Sequence, residues 1–257
     1  MPREYPKIPT PGCSDALELK FHHVYTAAST VGGDFFDMVK LSDHSVGVFI
    51  ADVMGHGARS ALVTAILRTL IQDFVHDTSE PAAFLEIVNR HFHEIVKQSK
   101  EFIFVSTLYL LIDTESEEVR FASAGHPSPL FADRERGSVT PLFEGLRDNP
   151  ALGLFPSSTY EQHVKGIIPG DIFFLFTDGA YEATNENGKE FGLAGMRKVI
   201  ASHLLESSAE IDEAIVGAIT GFLGQSSPTD DICLVSVEVM AARAKHGMPR
   251  TMLTAGS

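Results

Sequence analysis

Apolar and polar positions along residues 18–53 fall into three strand-length stretches. LELKFHHVYTA is the first. DFFDMVKL and HSVGVFIAD follow it, and predict a hairpin through Ser42-Asp43-His44. The period then changes. Across residues 57–76, Ala61, Leu62, Ala65, Ile66, Thr69, Leu70 and Phe74 recur at three- and four-residue spacing, which predicts an amphipathic helix. A second helix is expected over 80–98, with Ser79 as its N-cap and Pro81 in its first turn. Its stripe of Phe84, Ile87, Val88, His91 and Ile95 reads as core or partner-facing. Strand patterning resumes at 103–113, 117–125, 128–133, 138–143, 160–167 and 171–179. The loop ATNENGKEFG separates these strands from two amphipathic helices near 192–204 and 208–223, and DICLVSVEV is the last strand.

Strands, two helices, many strands, two helices and a strand do not alternate as a parallel α/β sheet would. The order predicts an α+β fold: a four-layer α-β-β-α sandwich of two antiparallel sheets, each flanked by a helix pair. Residues 14–240 form that one domain. Residues 1–13 are expected to be a linker or N-terminal extension, and 241–257 a disordered tail. No internal repeat is visible.

Composition narrows the function classes. The chain has 257 residues, 44% of them apolar, enough for one large core. No apolar run approaches the ~20 residues of a membrane span. The start, MPREYPKIPTPG, lacks the character of a signal peptide. Cys13 and Cys233 follow no metal-ligand spacing and read as reduced thiols, so a cytoplasmic location is expected. A net charge of −14 argues against nucleic acid and anionic membranes as partners. An acidic protein can still act on phosphate esters if bound cations supply the positive field.

Four acidic spots share one context, the end of an apolar strand beside Gly or another Asp. They are Asp34 (VGGDFFD), Asp52 (FIADVMGHG), Asp178 (FLFTDGA) and the pair Asp230-Asp231 (SPTDDICLV). Asp is a poor strand former, and an unpartnered buried carboxylate is costly. Hard divalent cations such as Mg²⁺ and Mn²⁺ prefer carboxylate and water oxygens, and neighbouring strand ends can aim several carboxylates into one cavity. The adjacent glycines permit close approach. Asp37 and Asp43 read instead as surface or turn residues, and Thr177 as filling a strand end. His22-His23 and His91/His93 lack the spacing that puts two imidazoles on one helix face and read as surface. Arg59 and Arg68 are expected on a solvated or ion-paired helix face. His56 is expected to cap or pack at the following helix.

VGGDFFD, ADVMGHGARSAL, SAGHPSPLF, FLFTDGAYEA and TDDICLVSV, taken in order, resemble the PPM-type metal-dependent protein serine/threonine phosphatases, in their bacterial SpoIIE-like, sigma-factor-regulatory branch. The resemblance covers residues ~12 to ~239 and agrees with the layered fold. Phe36 stands where Tyr is more usual. The resemblance implies a centre of two Mn²⁺ or Mg²⁺ ions. Asp52 would bridge both, Val53 would offer its backbone carbonyl, Asp178 and Asp230 would complete the second site, and Asp34 would hold a metal or its water. Asp231 occupies a position often acidic in this branch; of the pair, Asp230 is favoured as the ligand. Asp34, Asp52 and Asp178 are the implied catalytic set, and His126 would orient a loop beside it. The implied reaction is hydrolysis of phosphoserine or phosphothreonine by a metal-activated hydroxide. The implied substrate is a phosphorylated STAS-type anti-sigma-factor antagonist in a partner-switching pathway. An upstream sensor or activator would act through helices 57–76 and 80–98. A low-activity regulatory module needing a partner to complete its metal site is the alternative. A nuclease or nucleotide phosphatase is disfavoured by the acidic surface and by the absence of GxxxxGK[ST]. The oligomeric state is left open.

Overall fold

A computed structural model describes residues 17–28, 32–55, 57–99, 102–143 and 149–241. The expected linker, Cys13, His56 and residues 242–257 of the expected tail lie outside these; Ala241, expected in the tail, ends the last strand. The chain runs β1 (Leu17–Thr26), β2 (Phe35–Lys40), β3 (Ser45–Val53), α1 (Ala58–Phe74), α2 (Pro81–Val96), β4 (Val105–Asp113), β5 (Glu118–Ala124), β6 (Leu130–Asp133), β7 (Ser138–Pro141), β8 (Gln162–Gly166), β9 (Asp171–Phe176), α3 (Gly192–Ser202), α4 (Ser208–Leu223) and β10 (Ile232–Ala241). A short 3₁₀ turn, Asp178–Ala180, follows β9. One sheet has the order β1-β10-β9-β6-β7 and the other β2-β3-β4-β5-β8. Every pairing is antiparallel.

Three apolar layers hold the sandwich. Phe36, Val48, Leu110, Phe173, Val235 and their neighbours fill the space between the sheets. Phe49, Tyr109, Leu67 and Phe92 pack α1 and α2 on the second sheet. Phe174, Leu234, Met196 and Ile215 pack α3 and α4 on the first. Each fully buried Leu or Phe contributes about 1.5–3 kcal/mol. Helices outside and a sheet inside explain why β9 is apolar from Ile172 to Phe176: both of its faces are covered. In β10, Cys233, Val235 and Val237 face the other sheet, while Ser236 and Glu238 face the helices and find polar partners there. Ser236 donates to Asp212 of α4 at 2.7 Å, and Glu238 pairs with Arg134 and accepts from the Ser208 backbone.

Several local expectations are corrected. Helix α1 buries Ser60, Val63, Leu67, Leu70 and Ile71; of the expected stripe Leu70 is in the core and Ile66 and Phe74 pack against its edge, but Leu62 is left 67% exposed, so the packed face is rotated from the one expected. The exposed side carries Leu62 and Ala65 among Arg59, Arg68, Gln72 and Asp73, so periodicity alone does not fix the phase. Glu80, not Ser79, is the N-cap of α2, with no side-chain capping bond and Pro81 opening the helix. On α2, Phe84 and Val88 are core together with Leu85, Phe92 and Val96, whereas Ile95 is exposed. His91 stacks on Phe74 of α1 at 4.4 Å between ring centroids. Asp37 is buried, and Arg68 and Gln72 of α1 donate to it. The expected surface pair His22-His23 is half-buried: His22 hydrogen-bonds Asp212 at 2.8 Å and the His23 ring packs on Phe36. His93 bonds the Gly153 carbonyl.

Candidate functional site

The sheets end together. Asp34 precedes β2, and Asp52 and Val53 finish β3, on one sheet. Asp178 follows β9, and Asp230 and Asp231 precede β10, on the other. Antiparallel pairing of β2 with β3 and of β9 with β10 puts all four points at one edge of the sandwich. There Asp52, Val53, Asp178, Asp230 and Asp231 line a cleft of about 530 Å³ with Ser106, Met54 and Thr229. No Lys or Arg is among its described lining residues. Asp34 lies behind it, 6% exposed. Gly33, which also lines the cleft, is required by closeness: a Cβ there would lie 2.7 Å from the Val53 carbonyl oxygen.

Thr177 ties the two halves together. Its hydroxyl donates to Asp34 at 2.6 Å across the sheets and accepts from the Cys233 backbone N–H at 3.1 Å. Far from filling space, this fully buried residue fixes a candidate site carboxylate. Thr177→Val keeps the shape and strands both partners. The expected cost is about 2–3 kcal/mol in urea unfolding.

Asp230 and Asp231 divide their tasks. Asp231 is buried and committed on both oxygens, accepting from the Ala28 backbone N–H at 2.8 Å and from the Tyr25 hydroxyl at 3.2 Å. Asp230 is exposed at the cleft and takes one bond, from the Asp231 N–H. Of the two, Asp230 has the freer oxygens for a cation.

The electrostatics are those of crowded like charges. Burial, then Asp52, raises the Asp34 carboxyl. Burial, then Asp178 and Asp230, raises Asp52. Asp178 rises through burial and Asp230. With both Asp34 and Asp52 raised by burial and by their neighbours, the metal-free site needs a proton on one of them near neutral pH. A divalent cation would remove that need. The all-oxygen donor set fits Mg²⁺ or Mn²⁺, which retain waters and use few carboxylates. Among the described residues no three His, Cys, Asp or Glu side chains converge closely enough to cage an ion alone, so water would complete the shell.

His126 is fully buried and braces the same edge. Its Nε2–H donates to the Phe176 carbonyl at 3.1 Å, so Nδ1 accepts from the Ser106 hydroxyl at 3.0 Å. It therefore links β4 to β9, the orienting position its motif suggested. Burial lowers its pKa from 6.5 to about 4. The charged imidazole favours the unfolded chain, so this contribution to stability is whole above pH 6.5 and lost as the pH falls toward 4. The loss reaches about 3 kcal/mol. His126→Gln should be less stable than wild type near neutral pH. In urea titrations at several pH values the gap should close as the pH approaches 4.

The model of the family described as Stage II sporulation protein E (SpoIIE) matches residues 42–240. The chain belongs to the SpoIIE family. Phosphoserine phosphatase RsbP of Bacillus subtilis (strain 168) is 25% identical over 223 residues, covering 86% of this chain and 53% of RsbP. This chain thus spans about half the length of that relative. The SiaA-PP2C domain of Pseudomonas aeruginosa superposes with a TM-score of 0.75 at 23% identity, covering 85% of each chain. The catalytic domain of serine threonine protein phosphatase PstP, in complex with 2 manganese ions, superposes with a TM-score of 0.63 at 12% identity, covering 87% of this chain and 99% of that one. The SpoIIE-family sandwich is thus the PP2C, or PPM, phosphatase fold.

Proposed function

We propose that this SpoIIE-family chain is a divalent-metal-dependent protein phosphatase that hydrolyses phosphoserine or phosphothreonine in a phosphorylated protein partner. The observation that carries the reading is the cleft where Asp52, Asp178 and Asp230 meet from both sheets with no lining cation of their own. Two Mn²⁺ or Mg²⁺ ions are proposed, held by Asp52, the Val53 carbonyl, Asp178 and Asp230, with Asp34 behind them and Asp231 anchoring the β10 entry. When bound, such ions supply Lewis-acid activation of water and offset phosphoryl charge. The chain's own residues position them: Thr177 orients Asp34, His126 orients Ser106, and Asp231 holds the loop that presents Asp230. We further propose a cytoplasmic location and, as substrate, a STAS-type anti-sigma-factor antagonist, as the resemblance of the motifs implies; the likeness to phosphoserine phosphatase RsbP supports phosphoserine as the group hydrolysed. No described helix is long and apolar enough to cross a membrane.

One observation favours a second reading, a module completed by a sensor or activator: no three described side chains close a cage by themselves. The exposed side of α1, which carries Leu62, is then the docking face. Hydrolysis of para-nitrophenyl phosphate with EDTA, Mg²⁺ or Mn²⁺ separates the two. Manganese- or magnesium-dependent turnover in the isolated chain supports the first. Absence of turnover, with no heat of Mn²⁺ binding by calorimetry, supports the second.

A further inference from the structure

A second pocket opens beside the acidic cleft, also of about 530 Å³. The two share Asp52, Phe104, Ser106 and Asp178 as a common wall. Their linings differ in kind. Beyond that wall the second pocket is formed by Pro127, Leu130, Pro141, Phe143, Tyr181 and Leu193, with no charged side chain among them. These residues come from distant parts of the chain: the segment leading into β6, the end of β7, the turn after β9 and the first turn of α3. The pocket is held open by its frame. Tyr181 packs edge-on against Phe176, Phe143 stacks on Phe121, and Leu130 is buried in the α3/α4 layer. Leu193 stands at the rim, 38% exposed.

We propose that this pocket is a specificity subsite that receives an apolar side chain of the substrate polypeptide, within about three residues of the phosphorylated one. An extended chain advances roughly 3.3 Å per residue, so a side chain that near reaches from the shared carboxylate wall into the adjoining pocket. The inference rests on the phosphatase reading and deepens it. Ser128 and Tyr181 bring hydroxyls, but the named lining has no Lys or Arg to attract an inorganic phosphate or a lone phosphoserine, whereas a Leu, Ile or Phe flanking the phosphate leaves water there. A binding pocket of this size, apolar with few polar groups, is of the kind that selects a ligand by shape and burial. Selection then falls on the sequence around the phosphate as well as on the phosphate itself.

The test is kinetic. With Mn²⁺, kcat/KM is measured for phosphoserine peptides identical except for Leu or Ser at each position from three before to three after the phosphate. Para-nitrophenyl phosphate serves as the pocket-independent substrate. At one position or more, Leu should exceed Ser by about 10-fold or more in kcat/KM. Leu193→Ser should shrink that ratio toward one, and Leu193→Met should retain it. Leu193 is a rim residue, so neither change threatens the fold. Turnover of para-nitrophenyl phosphate together with equal rates on all peptides would overturn the subsite and leave the phosphatase standing. A Leu preference unchanged by Leu193→Ser would overturn the assignment to this pocket. Higher kcat/KM for nucleoside monophosphates than for any peptide, lowered by Leu193→Ser, would overturn it in favour of a nucleobase occupant. No hydrolysis of any substrate with either metal would overturn the phosphatase reading and the subsite with it.

Discussion

Asp52→Asn should abolish the proposed metal-dependent phosphatase turnover and, in the same protein, should raise the melting temperature of the metal-free domain. The two effects have one cause. Asp52 is half-buried at the point where β3 meets the cleft, with Asp34 behind it and Asp178 and Asp230 across from it. Without a cation these carboxylates repel in a poorly solvated place, and burial raises Asp52 further. Asn removes one charge and keeps the size and shape of the side chain. Relief of about 1–2 kcal/mol raises the melting temperature of a domain this size by about 2–8 °C. With metal the order reverses. At a concentration near 100 times its dissociation constant, Mn²⁺ should stabilise wild type by about 2.7 kcal/mol and the variant by far less. If the cations supply about 4 kcal/mol of transition-state stabilisation, losing the central ligand costs ~10³-fold in turnover. Differential scanning fluorimetry with EDTA and with Mn²⁺, beside para-nitrophenyl phosphate hydrolysis, reads all three quantities. A variant that is destabilised in EDTA would show that Asp52 is satisfied by some other partner, and the metal assignment would lose its main support.

The strand ends that make this cleft were legible because two independent signals coincide there. Apolar strand runs begin or end at Asp34, Asp52, Asp178 and Asp230, and each boundary is acidic with Gly or Asp within three residues. The layer order was legible for a similar reason, since the change of period at residues 57 and 192 marks where sheet gives way to helix. What stayed hidden depends on contacts between distant residues. Asp37 reads as a surface residue until Arg68 and Gln72, a helix away, are placed over it. His22 and Asp212 are 190 positions apart and meet only when α4 packs on β1. Thr177 looks like an ordinary strand end until the sheets stack and its hydroxyl reaches Asp34. The phase of α1 was ambiguous because Leu62 and Ala65 extend the apolar pattern onto its exposed side, and only the sheet beneath selects Val63, Leu67, Leu70 and Ile71. The apolar pocket gathers residues from Phe104 to Leu193, and no local pattern announces it.

Gly179→Ala should be the most damaging single methyl group in the site. Gly179 is buried in the 3₁₀ turn that presents Asp178. A Cβ there would lie 2.0 Å from the Asp231 carbonyl oxygen and 2.9 Å from its carbonyl carbon. The obstacle is backbone, so no rotamer change relieves it, and the 230–231 segment must move. That movement strains the bonds by which Asp231 holds the Ala28 N–H and the Tyr25 hydroxyl, and it displaces Asp230 from Asp178. Overpacking of this kind costs about 3 kcal/mol, which lowers the melting temperature by about 6–12 °C. Gly217→Ala is the matched control. Gly217 is exposed on α4 with nothing within 4 Å of its Cβ position, so alanine should stabilise by about 0.4–1 kcal/mol. Opposite signs from the same chemical change would locate the effect in the contact between the Asp178 turn and the Asp230-Asp231 entry. The Mn²⁺-induced rise in melting temperature should persist in Gly217→Ala and shrink in Gly179→Ala, because the second variant separates two proposed ligands that flank different strands. A full Mn²⁺ response in Gly179→Ala would mean that the 230–231 segment can yield without moving Asp230, and Asp230 would then have to be replaced as a ligand by another oxygen of the cleft.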